Sequence, residues 1–132
     1  MAKTHKDAGS HVLIGTALPA NRVAEIAADL TSEIEQLRFL GADKGVLQFA
    51  INNPQIPRQE WLVFSVLLGS EDGRTTARTE ILRYATNQSR VMFIPVASVA
   101  MLGYREYLRF MDLLAGGIRI EDPLSTATVS QG

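Results

Sequence analysis

The sequence predicts an α+β fold: one strand, a helix, four strands and a second helix, with an antiparallel curved sheet carrying both helices on one face. Three observations point there. Short apolar runs at 11–18, 37–39, 47–51, 61–68 and 74–84 have the length, β-branched content or two-residue alternation of strands. Two other stretches, 23–30 and 104–118, carry apolar residues at helical spacing. Four consecutive strands joined by short turns favour antiparallel pairing, and each helix has one apolar stripe that must be buried.

The first strand is the run His11-Val12-Leu13-Ile14-Gly15-Thr16-Ala17-Leu18. Pro19 stops it, having no N–H for a ladder, and suits the first turn of a helix; Asn21 is the alternative cap. Val23, Ile26, Ala27 and Leu30 then form one helical face, with Arg22, Glu25 and Asp29 on the other. From Ile34 the period becomes two: Leu37 and Phe39 alternate with Gln36 and Arg38. Gly41 to Gly45 is turn chemistry, and Leu47, Phe49 and Ile51 complete a hairpin. Pro54 and Pro57 mark a loop.

Trp61 to Leu68 is a fourth strand, apolar on both faces, followed by a five-residue loop, Gly69 to Gly73. Arg74 to Tyr84 is the fifth strand. Strict alternation puts Thr75, Ala77, Thr79 and Ile81 on one face, Arg78 and Glu80 on the other, and Arg83 opposite to those two. Residues 86–90 are polar and irregular, and Val91 to Leu102 is an apolar connector. The last helix carries the stripe Tyr104, Leu108, Met111, Ala115 and Ile118, widened by Tyr107 and Leu114, with Gly116-Gly117 expected to weaken or end it. Residues 1–10 and 121–132 read as flexible tails around a single domain at 11–120.

Composition narrows the function. The 132 residues are 46% hydrophobic, so wholesale disorder is excluded. A net charge of −1 gives no basic excess for nucleic acid. With no Cys, disulfides, thiol catalysis, iron–sulfur clusters and all-Cys zinc sites are excluded. The two histidines, His5 and His11, form no metal-ligand spacing, and no phosphate loop, serine elbow or zincin motif occurs. No metal or cofactor is therefore expected. The connector, with twelve residues and Pro95 inside it, is well short of the roughly 20 needed to span a bilayer. Without an apolar targeting stretch near residue 1, the expected location is cytoplasmic.

The opening strand–Pro–helix, Ile14-Gly-Thr-Ala-Leu-Pro-Ala-Asn-Arg-Val-Ala-Glu-Ile, resembles that of START-like (SRPBCC, polyketide-cyclase and lipid-transfer) domains. The fifth strand, Thr75-Thr-Ala-Arg-Thr-Glu-Ile-Leu-Arg-Tyr84, is similar to the late strands of that superfamily. The amphipathic run Tyr104 to Ile118 resembles its long C-terminal helix. The resemblance implies a helix-grip fold with an apolar cavity between sheet and last helix. Its walls would be Phe39, Leu47, Phe49 and Ile81 from the sheet and Tyr104, Leu108 and Met111 from the helix. Trp61 or Val63 would add to the wall. Arg78, with Glu80, reads either as part of a salt-bridged wet sheet face or as a polar group that orients a ligand head at the cavity mouth. This chain departs from that pattern: it lacks a second short helix and two strands after the first helix. The reduced order is also similar to half of a TATA-binding-protein-like fold.

Three functions follow as expectations. The first is a non-enzymatic domain holding a hydrophobic ligand under the last helix. The second is a protein-interaction or homodimerisation module with a filled core, docking through an apolar outer sheet face. Tails or the connector Val91 to Leu102 are the other candidates to cover that face. The third is an enzyme of the cyclase or dehydratase type, for which no acid–base pair stands out.

Overall fold

A computed structural model describes residues 5–86 and 100–131. Its elements are β1 (His11–Thr16), α1 (Ala20–Asp29) with one 3-10 turn (Leu30–Ser32), β2 (Leu37–Asp43), β3 (Val46–Asn52), β4 (Glu60–Glu71), β5 (Arg74–Tyr84), α2 (Tyr104–Glu121) and β6 (Thr126–Ser130). The six strands form one open antiparallel sheet in the order β2-β3-β4-β5-β1-β6. The α+β class and the strand–helix–four strands–helix order hold. A sixth strand is added from residues that read as tail.

Both helices bury their stripes against one sheet face. Val23, Ile26 and Ala27 of α1 and Tyr107, Phe110, Met111, Leu114 and Ile118 of α2 share one core with Val12, Ile14, Leu47, Phe49, Leu62, Phe64 and Val66. Pro19 caps α1: its carbonyl accepts the N–H groups of Arg22 and Val23. Gly103 caps α2 with φ 82°, a left-handed conformation open to glycine, where a Cβ would stand 3.2 Å from Ile51 and 3.3 Å from Leu62.

Four local expectations are corrected. The helix α2 runs through Gly116-Gly117, because an added Cβ at Gly117 would stand only 3.0 Å from Ile26 Cγ2. The glycine lets α1 and α2 approach, and that packing outweighs the helix propensity of about 1 kcal/mol that glycine forgoes. The loop after β4 is two residues, Asp72-Gly73, with φ 53° and 77°, so β4 extends to Glu71. The first hairpin likewise turns on Lys44-Gly45 alone, both at positive φ, and Gly41 and Ala42 belong to the strand. Finally, Ile81 lies opposite Phe64 while Arg83 lies opposite Val63, so one extra residue bulges from β5. The bulge returns Arg83 to the outer face beside Glu80 and Arg78.

The two ends of the domain are tied down by polar contacts. Asp122 accepts hydrogen bonds from Thr16 Oγ1 at 2.7 Å and from the Ala17 N–H at 2.9 Å. Arg22 Nε donates to Glu121 Oε1 at 2.9 Å, joining α1 to the end of α2. The Ala17 and Thr16 bonds hold the Asp122 carboxyl below its usual range, and the Arg22 bond does the same for Glu121. A depressed carboxyl stabilises the fold above its unfolded-state pKa and ceases to do so as the pH falls through its folded-state value. Thermal melts between pH 7 and pH 3 are therefore expected to show acid destabilisation. Asp122→Asn is expected to melt lower at pH 7 and to depend less on pH over that range.

Candidate functional site

Among the described residues, two places in the fold are candidates: the space between sheet and α2, and the boundary of the sheet. The first is occupied by the protein itself. Phe49 and Phe64 stack with ring centroids 5.4 Å apart, and Phe110 of α2 lies 5.0 Å from Phe49 and 4.8 Å from Phe64. Tyr107 meets Phe64 edge to face at 5.0 Å. These are close aromatic packing distances, and all four rings are fully buried.

Above this cluster runs a buried polar chain. The Tyr107 hydroxyl lies 2.6 Å from the Ser10 carbonyl and 2.9 Å from Thr79 Oγ1. A carbonyl only accepts, so the phenol proton is committed to Ser10 and the Thr79 hydroxyl serves the phenol oxygen. Thr79 Oγ1 in turn accepts the Val12 N–H at 3.0 Å. Ser10 Oγ shares a 2.7 Å hydrogen bond with the Tyr104 hydroxyl, and Tyr84 accepts the His5 N–H at 2.7 Å. All three tyrosine hydroxyls thus hold residues 5–10 against the fold. Burial pushes the Tyr107 phenol up to about 12.

The residues predicted to line a cavity divide accordingly. Leu47, Phe49 and Met111 are buried in the shared core, and Ile81, Tyr104 and Leu108 pack partly buried against it. Phe39 is 42% exposed at the sheet edge, although its ring reaches Phe49 at 5.2 Å. Trp61 lines a small cleft of about 110 Å³ with Glu60, Arg83 and Tyr84, below the ~300 Å³ at which small-molecule pockets begin. Arg78 lies exposed on the outer face, opposite Leu67 and Leu13, away from α2.

The outer face does not present the fourth strand. Val63 is 1% exposed, and its neighbours Ala50 and Ser65 are equally buried, while Leu13 of β1 is 48% exposed. The connector proposed to cover this face falls largely on residues 87–99, outside the described residues.

Among the described residues, no strand pairs with the outer side of β2 or of β6. On β2, residues 38–40, 42 and 43 are exposed, including Leu40 at 41%. The register shifts between Phe39 and Gly41, a bulge that places Arg38 and Asp43 on the same face despite their odd spacing. Neither side chain has an ion-pair partner among the described residues. A shallow depression of about 560 Å³ lies beside the bulge, lined by Leu40, Gly41, Asp43, Val46 and Gln48. Sequence reading missed this edge; its one signal was a glycine within an alternating run, which marks bulges.

Among the described residues, no group of three or more His, Cys, Asp or Glu could hold a metal ion, and no helix is long and apolar enough to cross a membrane. Comparison with protein-family models, with curated proteins and with solved structures finds no match for this chain.

Proposed function

We propose that the chain is a protein-interaction module that homodimerises, with a filled core and no small-molecule ligand beneath α2. The observation that carries this reading is the aromatic cluster. Phe49, Phe64, Tyr107 and Phe110 close the space where a helix-grip ligand would sit. What remains available for recognition is the surface, and its distinctive part is an open sheet boundary with exposed Phe39 and Leu40. Unpaired strand edges are ready templates for another chain.

Sedimentation velocity and native mass spectrometry of the full chain test the reading together. The expected result is a concentration-dependent dimer whose mass is two bare chains. The Trp61 emission is expected to be indifferent to fatty acids and sterols. A monomer at every concentration, carrying a bound hydrophobic mass, would overturn it in favour of the ligand-binding function.

A further inference from the structure

Resting on that reading, we propose that the second copy adds to the β2 edge, antiparallel and about a two-fold axis, with Arg38 of each chain opposite Asp43 of the other. The backbone determines which residues of β2 are free to pair. The Asn52 N–H donates to the Gln36 carbonyl at 3.0 Å, so residues 36 and 52 form a hydrogen-bonded pair. Such pairs alternate along an antiparallel ladder. Hence Arg38 directs its backbone groups to Ala50, while Phe39 directs its own outward; Leu37 also turns from β3, but its N–H is already given to the Ile34 carbonyl at 3.1 Å. On the other side of the bulge, the Leu68 N–H donates to the Gly45 carbonyl, which points Gly45 and Leu47 at β4 and Val46 and Gln48 at β2. Asp43 and Gly41 therefore bond inward to these two, and Ala42 faces outward.

The outward residues left free to pair are therefore Phe39 and Ala42. A two-fold pairing must set outward residues against one another. Placing Phe39 opposite Ala42 of the second copy does so twice, once on each side of the axis. The bulges then face each other, so the extra residue in one strand is matched by that in the other. Leu40 of the second copy stands opposite Gly41, where even a Cβ would meet nothing within 4 Å. Arg38 comes opposite Asp43 on the outer face, in a closely spaced non-hydrogen-bonded pair, and the exposed Phe39 and Leu40 are covered. Registers with Leu37 opposite Phe39 or Ala42 need the Leu37 N–H that Ile34 already holds, and the first of them also sets Arg38 against Arg38. The edge at β6, Thr-Ala-Thr-Val-Ser, has no charge to select a register.

Charge reversal and cross-linking test the register. By sedimentation equilibrium of the full chain, Arg38→Asp and Asp43→Arg are each expected to raise the dimer dissociation constant about tenfold or more, since two attractive cross-strand pairs become repulsive. The double variant R38D/D43R is expected to restore it. Because the chain has no Cys, Arg38→Cys mixed with Asp43→Cys is expected to cross-link on oxidation, and neither alone. Both sites are exposed, and circular dichroism checks that each variant folds. A dimer unaffected by either reversal and giving no mixed cross-link overturns this edge but leaves the interaction reading. Loss of that dimer on Ala127→Pro would place it on β6. A monomer in the unmodified chain removes both proposals.

Discussion

Phe110→Ala should lower the stability of the chain by about 3–5 kcal/mol, the range for deleting a buried phenyl ring. The ring touches Phe49 and Phe64 from above and is fully buried, so its removal leaves a cavity at the centre of the sheet–helix interface. The neighbours have little freedom to collapse into it. Phe49 and Phe64 sit opposite each other in the β3–β4 ladder, and Tyr107 is tethered by its hydroxyl. Thermal unfolding is expected to move down by roughly 10 °C or more. Phe110→Leu, which returns most of the volume, is expected to recover more than half of the loss. A melt within a few degrees of the parent would mean that the rings do not close this space. The same variant doubles as a ligand test: a dry cavity of this kind accepts a small aromatic molecule, as engineered cavities do.

Thr79→Val should cost about 1–3 kcal/mol although it preserves shape and removes one hydroxyl. Thr79 Oγ1 is the acceptor for the buried Val12 N–H and the partner of the Tyr107 phenol. Valine would leave the N–H without an acceptor in a place water does not reach. Tyr107→Phe, which removes the other end of the chain, is expected to leave the Ser10 carbonyl short of a donor and Ser10 held to α2 by the Tyr104 bond alone. The pH dependence separates the two. A phenol raised to about 12 contributes stability that is fully present below the ordinary tyrosine value of ~10 and is lost as the pH climbs through 12. Alkaline melts of the parent and of Thr79→Val are expected to show that loss, and Tyr107→Phe to lack it.

Periodicity alone made most of the fold legible. The fifth strand was bounded at Arg74 and Tyr84 as observed, because alternation is a local property. The helix at 104–118 was legible for the same reason, but its buried face lies to one side of the expected stripe: Tyr107, Phe110 and Leu114 are buried with Met111 and Ile118, while Tyr104, Leu108 and Ala115 are only partly so, and Phe110 was missed. What escaped depends on neighbours remote in sequence. Gly117 reads as a helix breaker until Ile26 is seen 3.0 Å from where its Cβ would be. Thr126–Ser130 has the composition of a tail and becomes a strand only by pairing with β1. The bulges at β2 and β5 break the parity that sequence alternation assumes, which is how Arg83 changed face and how Arg38 and Asp43 came to share one. The candidate cavity residues were partly brought together, since Leu47, Phe49 and Met111 do meet. That their rings and side chains fill the space is set by the approach of α2, which no spacing in the sequence reports.

The placement of β1 between β5 and β6 has a consequence for how the chain reaches this state. Thr16 meets Asp122 across 106 residues, and Tyr107 meets Ser10 across 97. Closing such distant contacts is what slows folding in sheet proteins. The β2–β3 and β4–β5 hairpins, each joined by a two-residue turn, can form while synthesis is still under way. The β1 strand can pair with β5 once Tyr84 has left the ribosome, but its other side waits for β6, and Ser10 waits for Tyr107. During that interval the β1 edge, later covered by β6, is open to any strand nearby. The late stage of synthesis, rather than the hairpin stage, is therefore the one most open to mispairing.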